Sequence, residues 1–386
     1  MPKLSKRPFH YGIVTIMSIK QTTSLFSLVF FAALSLAGAV AMAQTTPAKA
    51  APLRLMMPAA CTPGQNCWIV NHVDMNPASG VAEDFTCGSK TYDGHEGTDF
   101  GLLDTATMKT GVSVLAAAPG KVMRVRNNMP DGNPTSEQIE KLLAANQGCG
   151  NGVLIDHGKG WQSIYCHLKA GSVLVKPDMQ VTTGQKLADI GQSGAAEFPH
   201  LHFGLFYEDK PGVIETVDPF SGTYAAQGCG NAKGAMWDVG MNIDYDPMAI
   251  FTSGFATGVP DFNKLRDNAT SPTTLTPAID ALTYWVGLYG MHEGDQITLS
   301  ITAPDGSVFA TQTLTQEKDR ARQFYYVGRK IGDPLLPGAY KGMATIRRAI
   351  AGSDTEALTR SAEKILTISN PLHNSQQTGS DGVLLP

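Results

Sequence analysis

The chain is short of the features that mark several specialised classes of protein. Charged residues fill only 17% of its 386 positions, and there is no basic run or arginine-rich stripe interleaved with aromatics, so a nucleic-acid partner is excluded. No apolar run reaches the ~20 residues of a membrane-spanning helix. The longest, from Leu25 to Val40, has 16. There is no helical HExxH pattern, no paired CxxC of a zinc knuckle, and no internal repeat joining the two halves. A hydrophobic content of 42% excludes long disordered or coiled-coil architectures. Glycine (40) and proline (23) are plentiful and favour turns and short strands. The length suits about two domains at about 150 residues each.

Residues 1–43 have no acidic residue. They carry Lys3, Lys6, Arg7 and Lys20, then the apolar run, then Ala41-Met42-Ala43. A positive region, a short apolar region and a small-x-small site predict a secretory signal peptide, with Met17 an alternative start. Its removal takes the net charge from −4 to −8 and leaves no integral membrane segment. That acidity argues against tight docking on an anionic surface. The predicted location is periplasmic or secreted. All six cysteines (Cys61, Cys67, Cys87, Cys149, Cys166, Cys229) lie in the exported part, and an even number there predicts disulfides. Sequence does not choose among the fifteen pairings; Cys61–Cys67, closing the short CTPGQNC loop, is a guess.

Residues 44–52 read as a linker and 53–255 as a first domain. Its Gly-, Pro- or Asp-bounded runs (112–117, 120–125, 152–156, 162–167, 180–190, 201–207) predict antiparallel strands. Residues 156–160 (DHGKG) supply a hairpin turn. A helix over 135–145 is predicted from the capping-box spacing of Thr135 and Gln138 and from the apolar face of Ile139, Leu142 and Leu143, as a lid or rim. After a linker at 256–279, short strands with turn signals over 280–369 predict an immunoglobulin-like β-sandwich, and 370–386 a disordered tail. The fold class is mostly β: an antiparallel β-sheet domain followed by that sandwich.

Of nine histidines, five fall between positions 95 and 202. His95 and Asp99 (HEGTD) are four apart, and His200 and His202 (PHLHF) are two apart. Along strands both spacings place side chains on one face. His167 brings a third imidazole on a neighbouring strand, with Cys166 facing the other way. A catalytic zinc uses three N or O ligands and keeps one position open. Some of these five groups must therefore carry protons or stabilise an oxyanion instead, and spacing does not say which. A lone HxH is more often structural than ligating. A cupin barrel also uses HxH, but it wants a Glu where this chain has Leu205 and Phe206; Glu208 is the nearest. His157 sits in the hairpin turn as an outside candidate. His10 belongs to the leader, and His72, His292 and His373 have no partner at useful spacing.

Three motifs in order, HxGxD (His95, Gly97, Asp99), GNGVLIDHGKGWQSIYCHL (150–168) and TTGQKLADIGQSGAAEFPHLHF (182–203), resemble the lysostaphin-type, LytM-like zinc metallopeptidases. The likeness covers about 90–220, and residues 112–125 resemble the strand that follows the family's first motif. The resemblance implies that His95, Asp99 and His202 bind Zn2+. It implies that His167 and His200 flank the water and the scissile carbonyl as general acid or base and as electrostatic stabilisers. It also makes 53–255 a zinc metallopeptidase domain, and it implies a metalloendopeptidase whose substrate is the peptide cross-link of peptidoglycan, with no protein partner identified. Cys149 and Cys166 depart from the pattern and suggest a disulfide-reinforced variant. The insertions at 127–148 and 221–250 would line or cover the cleft. Two other functions stay open: a non-catalytic envelope scaffold that activates a cell-wall amidase, and a protease acting on protein substrates.

Overall fold

Short strands that end at glycine or polar turns cannot bury much alone, and they are stable only as members of one larger sheet. The computed structural model describes residues 53–241, 243–350 and 356–370. The expected leader and nearly all of the expected tail lie outside the described residues.

In the first half the strands are β1 (Trp68–Asn71), β2 (Thr98–Gly101), β3 (Ser113–Leu115), β4 (Gly120–Arg126), β5 (Gly152–Gly158), β6 (Trp161–Cys166), β7 (Gln180–Val181), β8 (Lys186–Asp189), β9 (His200–Lys210), β10 (Val213–Asp218) and β11 (Thr223–Tyr224). All except β3 and β8, which pair with each other, join one sheet of order β1-β2-β9-β6-β5-β4-β7, with β10 beside β9 and β11 beside β10. Every pairing in it is antiparallel. The predicted turn at 156–160 joins β5 to β6, and Gly158, Lys159 and Gly160 all take positive φ there (77°, 53° and 86°). Two glycines make that conformation inexpensive.

Helices are few: α1 (Thr105–Thr110), α2 (Ser136–Ala144) and α3 (Phe262–Asp267). The predicted capping box forms at the start of α2, with Thr135 and Gln138 each bonded to the other's backbone. None of its residues is buried, so it lies on the surface of the insertion.

The second half contributes β12 (Ala249–Ala256), β13 (Thr274–Leu275), β14 (Ala281–Met291), β15 (Gln296–Thr302), β16 (Val308–Thr315), β17 (Arg320–Lys330), β18 (Gly338–Ala349) and β19 (Ala357–Ile368), so its sheets take in β12 from the end of the expected first domain and β13 from the expected linker. They form a three-stranded sheet, β12-β14-β17, and a five-stranded sheet, β13-β19-β18-β15-β16. Alternation drives the packing: Ile297, Leu299 and Ile301 of β15 point inward, as do Tyr340, Ala344 and Ile346 of β18. They meet Tyr284, Val286 and Leu288 of β14 in one core shared by both sheets.

β14 is buried along nearly its whole length because both its faces are covered. The face opposite the sandwich core sets Trp285 and Tyr289, with Phe251 and Phe324, against Trp68, Val70 and Phe198 of the first half. Tyr289 donates its hydroxyl hydrogen to the Leu102 carbonyl at 2.9 Å.

The Cys61–Cys67 disulfide is present, together with Cys87–Cys229 and Cys149–Cys166. No described cysteine is free.

Candidate metal centre

The site is built on β9, which lies between β2 and β6. Its register sets His202 directly opposite Asp99 on one side and Cys166 on the other. Directly opposed residues share a face of the sheet, so Asp99 and His202 meet. Asp99 Oδ1 lies 2.9 Å from His202 Nδ1 and 3.1 Å from His95 Nε2, and the two nitrogens are 3.1 Å apart. His200, two residues along the same strand, brings its Nε2 to 3.8 Å from Asp99 Oδ1.

His95 reaches the cluster differently from the way its spacing suggests. β2 begins only at Thr98, so His95 belongs to the preceding loop and not to a strand face. Its backbone is held by bonds from Asp74 and to Tyr92. Its Nδ1–H donates to the His72 carbonyl at 2.6 Å, which leaves Nε2 as a bare acceptor. Gly97 explains the middle of the HxGxD pattern: a Cβ there would lie 2.6 Å from His202 Nε2 and 2.7 Å from the Phe203 carbonyl.

His167 also departs from the strand argument. β6 stops at Cys166, and His167 takes a left-handed backbone with φ 59°, so a turn aims the imidazole. Its N–H donates to the Cys149 carbonyl at 2.8 Å. Cys166 is directly across from His202 and so lies on the same face of the sheet, not the other way as the alternation suggested, because the strand ends there and His167 turns out of it; Cys166 is bonded to Cys149. The His167 ring lies 4.5 Å from that of His200 and 6.0 Å from that of His202, centre to centre.

Backbone carbonyls settle the tautomers of both remaining imidazoles. His167 Nδ1–H donates to Ser193 O and His200 Nδ1–H to Phe198 O, each at 2.8 Å, so both rings keep Nε2 free. One loop, 193–198, thus orients both. Burial, reinforced by His200 and His202, holds the His167 imidazole well below the usual range. Burial likewise lowers His200, against the pull of Asp99. Asp99 goes the other way: burial alone would raise it, but the neighbouring His95 and His200, with hydrogen bonds from His202 and His95, hold it well below the usual carboxylate range. His95 is raised: burial alone would lower it, but the charge and hydrogen bond of Asp99, with the His72 carbonyl and Glu96, together outweigh that.

This donor set fits a small divalent ion. Asp99 Oδ2 accepts from Asn71 Nδ2 at 2.8 Å, which turns Oδ1 towards the two nitrogens. Three acceptor atoms then face one another at separations close to the ~3.3 Å edge of a tetrahedron with ~2.0 Å bonds. Only a shared proton or a cation relieves lone pairs so placed. Among the described residues, His95, Asp99 and His202 are the group that could hold a metal.

Several contributors carry no signal in sequence spacing. Asn71 and the His72 carbonyl lie far upstream of the residues they orient. The carbonyls of Ser193 and Phe198 have no side-chain signature at all. Tyr92, an exposed residue, sets its ring beside that of His95, 4.5 Å away centre to centre. His72 is a packing residue: it is fully buried, with both ring nitrogens unpartnered, and burial drops it to about 3. His157 is structural, bonding Pro119 O and Ser163 Oγ, and His292 bonds Ser89.

Residues 93–213 match Peptidase family M23. The chain is 32% identical over 126 residues to the cell division protein DipM of Caulobacter vibrioides, covering 32% of this chain and 18% of that one. It is 31% identical over 117 residues to the peptidoglycan DD-endopeptidase ShyA of Vibrio cholerae, covering 30% and 21%. It is 30% identical over 121 residues to the murein hydrolase activator NlpD of Escherichia coli, covering 31% and 26%. The chain therefore spans only about a fifth to a quarter of these relatives' lengths.

Proposed function

Given a chain that carries a Peptidase family M23 domain over residues 93–213, we propose that it is a zinc metalloendopeptidase, periplasmic or secreted, that hydrolyses peptide bonds in the cross-links of peptidoglycan. The reading is carried by three metal-type donor atoms 2.9–3.1 Å apart with two more imidazoles beside them. A relative named as a peptidoglycan DD-endopeptidase supports the substrate class.

On this reading His95, Asp99 and His202 hold the ion. When bound, zinc supplies Lewis acidity that brings the pKa of water towards ~7 and polarises the scissile carbonyl. His167 and His200 each present a free Nε2. One takes the proton of the attacking water and passes it to the leaving amine. The other has no hydrogen on Nε2 in this tautomer, so it takes up a proton from solvent before it donates a hydrogen bond to the oxygen on which negative charge develops. Asn71 keeps Asp99 turned inward.

A second reading is an activator that performs no chemistry, favoured by the similarity to a murein hydrolase activator. The complete donor set argues against it. Digestion of purified peptidoglycan with and without a chelator, followed by fragment analysis, tests both. Chelator-sensitive peptide fragments support the peptidase; intact peptidoglycan at saturating zinc supports the activator. Cleavage confined to protein substrates would point to the third class.

A further inference from the structure

The second half of the chain reaches towards the candidate metal centre and makes a pocket beside it. A cavity of about 250 Å³ is lined by Gln192, Glu197, Phe198 and Pro199 from the loop before β9, by Arg266 and Asp267 from α3, and by Arg322 from β17. The loop is the one whose Ser193 and Phe198 carbonyls orient His167 and His200. The ring of Phe198 lies 4.8 Å from that of His200. A ligand in this pocket would therefore lie next to the reacting groups.

The charge pattern is unusual. Arg266 and Arg322 supply two positive charges, Glu197 and Asp267 two negative ones, and among the described residues no ion pair joins any of the four. Arg322 is fixed: its Nη2–H donates to the Leu103 carbonyl at 2.7 Å. Its guanidinium lies over Phe251 at 4.8 Å, with Phe198, Tyr289 and Phe324 within 5.7 Å. Its Nε and Nη1 are buried without partners, so this charge is not neutralised from within. Arg266 and Glu197 are exposed at the mouth. Balanced but unpaired charges of both signs in one concave site match a ligand that itself carries both.

We infer that this pocket is a substrate subsite, built jointly by the 192–199 loop and the second half of the chain, for a peptide residue whose side chain ends in both a free amine and a free carboxylate. Arg266 binds the carboxylate in the positive field of Arg322, and Glu197 binds the amine. The inference rests on the peptidase reading for its substrate class, but its test does not depend on turnover.

The probe is a free tetrapeptide containing 2,6-diaminopimelate, compared with the same peptide amidated on the side-chain carboxylate or acetylated on the side-chain amine. Binding to the full exported chain is measured by calorimetry. The wild type should hold the parent peptide about tenfold or more tighter than either derivative. Arg266→Ala should abolish the preference over the amidated peptide alone, and Glu197→Gln the preference over the acetylated one alone. Equal binding of all three peptides by the wild type, or full discrimination kept by both variants, overturns the inference. Loss of chelator-sensitive hydrolysis with discrimination intact would sink only the peptidase reading, and hydrolysis without discrimination would sink only the subsite.

Discussion

His95 Nε2, Asp99 Oδ1 and His202 Nδ1 are crowded acceptors, and that crowding distinguishes them from His157, whose two nitrogens both find ordinary partners. Removing one acceptor removes a candidate ligand, whereas removing His167 leaves all three in place. His202→Ala is therefore expected to purify without zinc. His167→Ala should bind zinc in full while turnover falls by about 10²–10⁴; metal analysis beside a peptidoglycan assay separates the two. A second residue sets a pH dependence of stability. Burial raises Asp218 to about 6 although it accepts hydrogen bonds from Phe220 and Ser221. The folded chain thus keeps this proton above the ~3.9 at which an unfolded chain releases it. Its stabilisation is complete below pH ~4 and lost as pH rises to about 6, a change on the order of 3 kcal/mol. Asp218→Asn should flatten that part of the stability curve in denaturant titrations at stepped pH. At this scale the five residues that the structure brings together, His95, Asp99, His167, His200 and His202, were legible as candidates from spacing and resemblance. Asn71 and the carbonyls of His72, Ser193 and Phe198 were not, because a supporting group leaves no periodic mark.

Elements decide how accurately those residues are aimed. β9 pairs with β2 and β6 in a register that leaves no freedom to slip, since a shift of one residue would send both histidines to the other face. His167 lacks such a strand and relies on its left-handed turn, its bond to Cys149 O and the adjacent Cys149–Cys166 bridge. Replacing both cysteines by alanine opens a loop with a sequence separation of 17 and should cost about 3 kcal/mol. It should also lower kcat more than it changes KM, and retained zinc would show that the three candidate ligands are undisturbed. Most runs from 112 to 207 were legible as strands because each alternates or is closed by glycine, but 180–190 is two strands, β7 and β8, which belong to different sheets and are parted by a turn at Gly184. β1 and β2 were not: WIVN and TDFG are four residues long and buried throughout, so no alternation shows. The HxGxD segment was accordingly expected on a strand, while His95 lies in a loop.

The whole molecule is joined across an aromatic seam, with Trp68 5.8 Å from Phe251 and 6.1 Å from Tyr289, ring to ring. Trp68→Ala should cost about 3–5 kcal/mol. If the seam unites the halves, the variant melts at a lower temperature in one transition seen alike by far-ultraviolet dichroism and tryptophan fluorescence; two separated transitions would show that the halves melt independently. Sequence could indicate two β-rich halves but not this seam, whose members at 68, 198, 251, 285, 289 and 324 share no local pattern. The Cys87–Cys229 bridge has a molecular consequence of its own. It precedes His95 and follows His202, so every candidate ligand and proton carrier lies inside one covalent ring. A protease that nicks this ring once, for example at the exposed turn after β9, yields two fragments still tied together. The nicked molecule would keep its mass on a non-reducing gel and separate only when a thiol is added, giving the protein a built-in tolerance of clipping.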